Sequence, residues 1–302
     1  MSLCEGRVAI VTGAARGLGR AHALAFAAAG AAVVVNDYGV AVDGTGADTG
    51  PAQQVVDEIV AAGGRAVANA DDVADWAGAQ RLVQTALDAF GRLDVLVNNA
   101  GFLRDRMLAN LGEDEWDAVI RVHLKGHFAP TRHAAAYWRA ESKAGRQPDA
   151  RVINTSSGAG LLGSVGQGNY AAAKAGIAAL SVVAAAEFAR YGVTVNAIAP
   201  AARTRMTEVA MPDMMRKPDS GFDAMAPENV SPLVVWLGSS ESRDVTGRVF
   251  EVEGGIVGVA DGWQHGPRVD KGERWAPADL GPVVRDLLEK APAPTPVYGA
   301  GG

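Results

Sequence analysis

The sequence predicts an α/β protein: one doubly wound sheet of about seven parallel strands with helices on both faces. Three observations predict it. Short β-branched apolar runs alternate with longer alanine-rich stretches, the pattern of parallel strands joined by helical crossovers. A glycine-rich turn, Thr12-Gly13-Ala14-Ala15-Arg16-Gly17-Leu18-Gly19, follows the first apolar run and precedes a helical stretch. The chain has 302 residues, 48% of them hydrophobic, enough to bury one large core.

In chain order, strands are expected at 8–11, 32–35, 66–69, 95–97, 152–154, 194–198 and 249–252, and helices at 18–29, 51–62, 76–90, 114–139, 169–190 and 228–238. The strand order that right-handed crossovers impose is the doubly wound, Rossmann-type one. Residues 39–50, rich in Gly, Asp and Thr, make a long loop between the second strand and the second helix. Residues 201–226 carry Met206, Met211, Met214, Met215 and Met225 with Pro212, Pro218 and Gly221. They read as a mobile segment and a candidate lid over an apolar substrate. The dinucleotide-binding catalytic domain is read as 1–255. Residues 256–302, rich in Pro, Gly and Trp, read as an extension packed on the domain or on a partner subunit, with disorder expected in 291–302.

The net charge is −6 and no basic block is present, so neither nucleic acid nor an anionic membrane surface is an expected partner. The one cysteine, Cys4, excludes an intrachain disulfide framework and fits a reducing compartment, so a cytoplasmic location is expected. No apolar run reads as long enough to span a bilayer, and 8–11 is too short for a secretory leader. No metal site is expected.

Small residues in the glycine-rich turn let a pyrophosphate approach the backbone, and the helix N-terminus that follows offers free N–H groups and a positive dipole end. Gly13, Arg16, Gly17, Leu18 and Gly19 are therefore candidate cofactor contacts. Asp37 lies at the end of the second strand, 18 residues after Gly19, where a carboxylate binds the adenosine ribose hydroxyls and repels a 2′-phosphate. That favours NAD over NADP. Arg16 pulls the other way and is given less weight. Tyr170 and Lys174 lie four apart on one helix face. A cation beside a phenol is expected to lower the phenol pKa from about 10 towards working pH, making Tyr170 an acid/base. Ser157, just past the strand at 152–154, is placed to polarise the same substrate oxygen, because ligands of open α/β sheets sit beyond the carboxyl ends of strands.

Together Thr12-Gly-x-x-x-Gly-x-Gly19, Asn98-Asn99-Ala100-Gly101, Ser157 and Tyr170-x-x-x-Lys174 resemble the short-chain dehydrogenase/reductase superfamily, over residues 6 to about 255. The resemblance implies that Tyr170 is the catalytic acid/base, Ser157 holds the substrate oxygen, and Lys174 binds the nicotinamide ribose and tunes Tyr170. It implies further that Asp72 and Val73 flank the adenine, and that Asn99, Ala100 and Gly101 line the cofactor. Asn36-Asp37-Tyr38-Gly39, Val122-His123-Leu124-Lys125-Gly126, Gly166-Gln167-x-Asn169-Tyr170 and Arg205-Met206-Thr207-Glu208 are similar to the (3R)-hydroxyacyl-CoA dehydrogenase domain of multifunctional β-oxidation enzymes, which use NAD.

Two positions depart from the superfamily. His123 stands where most members have Asn. That residue holds a relay water largely through its main-chain carbonyl, so His123 is taken as relay-associated, against the alternative of a locally packed histidine. After Pro200 the chain reads Ala201-Ala202-Arg203-Thr204, one residue shorter than usual, which makes Thr204 the expected carboxamide contact beside Pro200 and Ile198. Arg203, Arg205 and Arg216 are read as solvated charges in preference to CoA-phosphate contacts. The activity implied is interconversion of a secondary alcohol and a ketone, first of all (3R)-hydroxyacyl-CoA and 3-oxoacyl-CoA. The alternatives are a hydroxysteroid dehydrogenase, an NADPH-dependent 3-oxoacyl carrier-protein reductase and, remotely, a non-catalytic NAD-binding regulator. A homodimer or homotetramer is expected by resemblance, through the alanine-rich helices 114–139 and 169–190.

Overall fold

The computed structural model describes residues 2–39, 50–204, 207–208, 213 and 215–299. Eight strands form one sheet: β1 Val8–Thr12, β2 Ala32–Asn36, β3 Arg65–Asn69, β4 Val95–Asn98, β5 Ala150–Thr155, β6 Val193–Ala201, β7 Val249–Glu253 and β8 Ile256–Ala260, in the order β3-β2-β1-β4-β5-β6-β7-β8. All pair in parallel except β7 with β8. The eighth strand is one more than the sequence reading. It lies in the stretch read as the start of the C-terminal extension and is joined to β7 by Gly254-Gly255, the two-residue linker of a tight hairpin.

The helices are α1 Gly17–Ala28, α2 Gly50–Ala61, α3 Trp76–Phe90, α4 Glu113–Ile120, α5 Gly126–Lys143, α6 Gly158–Leu162, α7 Gly168–Phe188, α8 Ser231–Gly238 and α9 Leu280–Lys290. Where one helix was expected over 114–139, a π-turn at Arg121–Lys125 separates α4 from α5. Such a turn carries an extra residue and is frequent at functional sites. The sequence periodicity runs through it almost unchanged, which is why it reads there as one helix.

Strand side chains alternate between two cores. Ala9, Val11, Val33 and Val35 point to the layer with Phe26, Val55, Val234 and Leu237 of α1, α2 and α8. Val8, Ile10, Ala32 and Val34 point to the layer with Leu82, Ala86, Trp138 and Ala184 of α3, α5 and α7. Every residue of β1, β2, β4 and β5 is buried, so these strands carry no polar alternation. From Gly168 to Tyr191 the chain is long and apolar enough to cross a membrane by length and composition, although it is not an uninterrupted apolar run. Tyr170, Lys174 and Glu187 interrupt the run when it is read linearly. In the fold α7 packs on β5 and β6, so its apolarity serves the sheet's second layer.

The strand order reverses between β1 and β4. Their carboxyl ends therefore open a crevice, because the crossovers from β1 and β4 leave to opposite sides. Beneath it, Trp138 is 1% exposed and its Nε1 donates to Leu93 O at 2.7 Å. Trp138→Ala is expected to cost about 3–5 kcal/mol. Trp138→Phe, which keeps most of the volume but strands the Leu93 carbonyl, should cost about 1–3 kcal/mol. Denaturant titration checks both, and equal losses would mean that the hydrogen bond to Leu93 alone decides the site.

Candidate active site

Four elements end at the crevice. The first is the turn between β1 and α1. Gly13 and Gly17 have positive φ, 62° and 52°. A Cβ on Gly19 would lie 2.1 Å from Gly13 O, and one on Gly13 would lie 2.8 Å from Ala100 Cα, so neither position accepts a side chain. Arg16 is the exposed N-cap of α1 and makes no capping bond, and the first turn holds no acidic residue. This leaves a helix N-terminus suited to an anion. Thr12 Oγ1 accepts from Asn99 N at 2.9 Å and Ala100 N at 3.1 Å, while Asn99 Nδ2 donates to Thr12 O at 3.0 Å. Asn99 thereby braces the turn, and Ala100 and Gly101 follow beside it.

At the end of β2, Asp37 Oδ2 accepts from Ala15 N at 3.0 Å and Oδ1 accepts from Gly39 N at 2.8 Å. Its carboxylate is tied to the glycine turn and stands at the crevice edge. Asp72 lies past β3, where it accepts from Ala74 N and pairs with Arg121. Val73 is buried against Gly126. Thr204 Cγ2 would lie 3.5 Å from a Cβ on Gly17, which brings Thr204 to the same turn. Its Oγ1 bonds Thr207. Pro200 belongs to β6, opposite Val252. The cradle, the free helix end and the carboxylate fit a dinucleotide, with the glycine turn for the pyrophosphate and Asp37 for the adenosine ribose.

The candidate catalytic side chains lie on the far side of β4. Ser157 lies two residues past β5 and caps α6, its Oγ accepting from Ala159 N at 3.2 Å. Tyr170 lies in the first turn of α7, with its phenol near enough to Ser157 for that hydroxyl to favour the phenolate. Lys174, one turn on, is 2% exposed; its Nζ donates to Thr155 O at 2.6 Å and sits 5.4 Å from the Tyr170 ring centre. Burial lowers the Lys174 pKa to about 7. Burial raises that of Tyr170, which the Ser157 hydroxyl offsets in part and the Asp105 carboxylate adds to. The expectation that Lys174 pulls the phenol down is thus corrected: a half-charged ammonium beneath the ring does not outweigh desolvation of the phenolate.

His123 lies in the π-turn, 1% exposed. Its Nε2 lies 2.7 Å from Phe102 O, and its ring stands edge-on to Tyr170 at 5.2 Å. A Cβ on Gly101 would come within 2.1 Å of the ring, so the glycine of the Asn-Asn-Ala-Gly motif is what makes room for imidazole here. Burial and the nearby Lys174 charge lower the His123 pKa to about 3.

Sequence reasoning missed His127. It is buried on α5, and Thr155 N donates to its Nε2 at 3.4 Å, on the residue whose carbonyl holds Lys174. Asn169, read in the sequence only as part of a motif, is given a role by the fold: its Nδ2 donates to Arg104 O at 3.1 Å and Glu115 O at 3.3 Å and so ties the start of α7 to the preceding loop. The spacing of His127 carries no signal, and both contacts depend on the tertiary structure. Of the candidate lid, Arg205, Met206, Met211 and Met214 lie outside the described residues. Arg203 is not a solvated charge, as expected, but pairs with Asp223 and donates to Met215 O. Arg216 is exposed and pairs with Asp213. Among the described residues no cluster of metal-ligating side chains occurs.

A nucleotide cradle at the switch point of a doubly wound sheet, facing a serine–tyrosine–lysine group, defines a dinucleotide-dependent oxidoreductase. Residues 7–215 match the family model described as short chain dehydrogenase, and the chain belongs to the short-chain dehydrogenase/reductase family, whose members use NAD(P) to oxidise or form hydroxyl groups. It is 48% identical over 299 residues to the hydroxyacyl-CoA dehydrogenase ChsB1 of Mycobacterium tuberculosis, covering 94% of this chain and 89% of that one. It is 46% identical over 254 residues to peroxisomal multifunctional enzyme type 2 of Mus musculus, covering 84% of this chain but 32% of that longer protein. A crystal structure of a short chain dehydrogenase from Mycobacterium avium superposes with a TM-score of 0.90 at 69% identity, covering 99% of this chain and 100% of the other.

His22, His123 and His127 are all buried and held neutral, with pKa values of about 3 for His22 and His123 and well below the ordinary range for His127. The unfolded chain binds protons on these groups near pH 6.5 and the folded chain does not, so stability is full above that pH and falls on acidification. Each histidine contributes a slope of at most about 1.4 kcal/mol per pH unit. The melting temperature is therefore expected to drop steeply between pH 6.5 and 4.5. A flat profile by calorimetry would contradict neutral burial.

Proposed function

We propose that this protein oxidises a (3R)-hydroxyacyl-CoA to the 3-oxoacyl-CoA with NAD⁺, using Ser157, Tyr170 and Lys174. The observation that carries this reading is the grouping of Ser157, Tyr170 and Lys174 on one wall, with Lys174 Nζ held by Thr155 O and 5.4 Å from the Tyr170 ring centre, across the crevice from the glycine turn. The hydroxyacyl-CoA dehydrogenase name of the Mycobacterium tuberculosis relative and the Asp37 carboxylate support the substrate class and NAD, respectively.

Bound along the crevice, NAD⁺ supplies the hydride acceptor. Ser157 Oγ donates to the substrate oxygen and holds it as it becomes a carbonyl. Tyr170 Oη takes the hydroxyl proton while the carbinol hydrogen departs with its electron pair. Lys174, anchored by Thr155 O, stabilises the phenolate and reaches the ribose of the cofactor. His123 fixes the Phe102 backbone through Nε2 and closes one side of Tyr170, which makes it a positioning group for the relay. Thr204 and Pro200 border the nicotinamide end, while Asp72 and Val73 border the adenine end. Residues 1–255 act as the catalytic domain in this reading. Exposed Phe128, Val182 and Val183 on α5 and α7 support homo-oligomer formation through these helices.

Tyr170→Phe is expected to reduce kcat/KM by about 10²–10⁴-fold with NAD⁺ binding retained. Because burial raises the phenol pKa, oxidation should accelerate as pH rises above neutrality and reduction should slow. Initial rates over a panel of (3R)- and (3S)-hydroxyacyl-CoAs and hydroxysteroids test the substrate class, and steroid turnover without acyl-CoA turnover would overturn it. Asp37→Asn removes a charged acceptor worth roughly 1.5–3 kcal/mol, so the NAD⁺ over NADP⁺ preference should fall about 10–100-fold. A wild-type preference for NADP⁺ would give Arg16 the greater weight and favour the carrier-protein reductase.

A further inference from the structure

The last described residues return to the candidate active site of their own chain. Val165 N donates to Tyr298 O at 3.0 Å, and Tyr298 N donates to Gly163 O at 3.3 Å. These bonds form a parallel bridge between Ser164 and Tyr298. The bridged loop joins α6 to α7, and so links Ser157 to Tyr170. The Tyr298 side chain reaches back along it: a Cβ on Gly158, the residue after Ser157, would lie 3.0 Å from Tyr298 Oη and 3.2 Å from Cε2. Val297 lies against Gly163 in the same way, at 3.2 Å from Cγ1.

Three features make this seat a surface for a ligand as well as a fold contact. Tyr298 remains 48% exposed, Val165 47% and Val297 40%, so an apolar surface is left open beside Ser157. Neither 157–166 nor 291–299 contains a charged residue, which suits a hydrocarbon and not the phosphates of CoA. Pro292, Pro294 and Pro296 fix alternate φ angles in the segment leading from α9, so the chain arrives as a stiff strut with little ordering entropy left to lose.

We infer that the C-terminal segment, through Tyr298, forms a wall of the substrate pocket and sets which acyl groups the enzyme accepts. The apolar part of the substrate, leaving the carbon held by Ser157 and Tyr170, runs along the Tyr298 ring. This rests on the reading of Ser157 and Tyr170 as the groups that hold the reacting oxygen. The contacts of Tyr298 are with Gly158 and the loop 163–165, so its effect is expected on the substrate and not on the dinucleotide.

The test uses the full chain and its Tyr298→Ala and Tyr298→Phe variants. The panel holds hydroxyacyl-CoAs of short, long and ring-bearing acyl groups, together with free secondary alcohols graded in size. In Tyr298→Ala the ratio of kcat/KM for the bulkiest substrate to that for the smallest is expected to change by about tenfold, the size of a 1.4 kcal/mol difference. The change should lie mainly in KM, with the KM for NAD⁺ and the melting temperature unaltered. Tyr298→Phe, which keeps the ring, should preserve the wild-type ratio. A ratio unchanged within twofold in Tyr298→Ala, or a matching change in the KM for NAD⁺, would overturn the wall. If the wild type turns over free alcohols but no hydroxyacyl-CoA, the proposed substrate class fails while the alcohol series still reads the wall. No turnover of any alcohol would overturn both.

Discussion

Lys174 lies buried, and among the described residues no carboxylate is within ion-pairing distance of it. An uncompensated ammonium in a protein interior is costly, and the surrounding elements are arranged to tolerate it. Thr155 O accepts from Nζ, and Ser156 Oγ donates to the Lys174 carbonyl at 2.8 Å. Gly160 packs so closely that a Cβ there would meet Lys174 Cβ at 2.5 Å. The end of β5, the start of α6 and the first turns of α7 are therefore one unit. Because Ser157 and Tyr170 belong to the same unit, their mutual position follows from the burial of the lysine.

Behind this unit lies a buried polar web. Asn98 Nδ2 donates to Asn154 Oδ1 and Thr131 Oγ1, both at 2.9 Å, and Asn154 Nδ2 donates to Ser181 Oγ at 2.9 Å. It links β4, β5, α5 and α7 with directional bonds where aliphatic packing would leave the strands freer to slide. Buried networks of this kind fix a single arrangement as long as their members are satisfied. On this rigid platform the mostly buried Tyr170 and the capping Ser157 keep one arrangement.

Imidazole at position 123 shows how one substitution is absorbed by neighbouring geometry. A ring larger than an amide occupies the turn, Gly101 has no side chain to oppose it, and Phe102 supplies a carbonyl to its Nε2. The π-turn sets the ring against Tyr170 without displacing α5 from the sheet. The tail at Tyr298 adds a further layer beside Ser157, so this side of the crevice is built from residues more than a hundred positions apart.

Much of the fold was legible in the sequence because a parallel sheet covered on both faces forces its strands to be apolar throughout, and its glycine turn must follow the first strand. The seven expected strands, the nucleotide turn, Asp37 at the end of β2 and the placement of Ser157, Tyr170 and Lys174 on one side of the crevice all rest on local pattern or helical spacing. The eighth strand had a signal too, the Gly-Gly linker after Glu253. Other features had none. The raised Tyr170 pKa depends on desolvation, which composition does not report. The π-turn depends on how α4 and α5 pack. His127 behind Thr155, the Arg203–Asp223 pair and the seat of Tyr298 beside Gly158 join residues that sequence distance keeps apart. By itself the sequence determined the class of fold and the chemistry carried by its motifs, because both are encoded within single elements. Only the tertiary structure decided which groups are desolvated and what lines the substrate side of the crevice, because those properties arise when distant elements exclude water together.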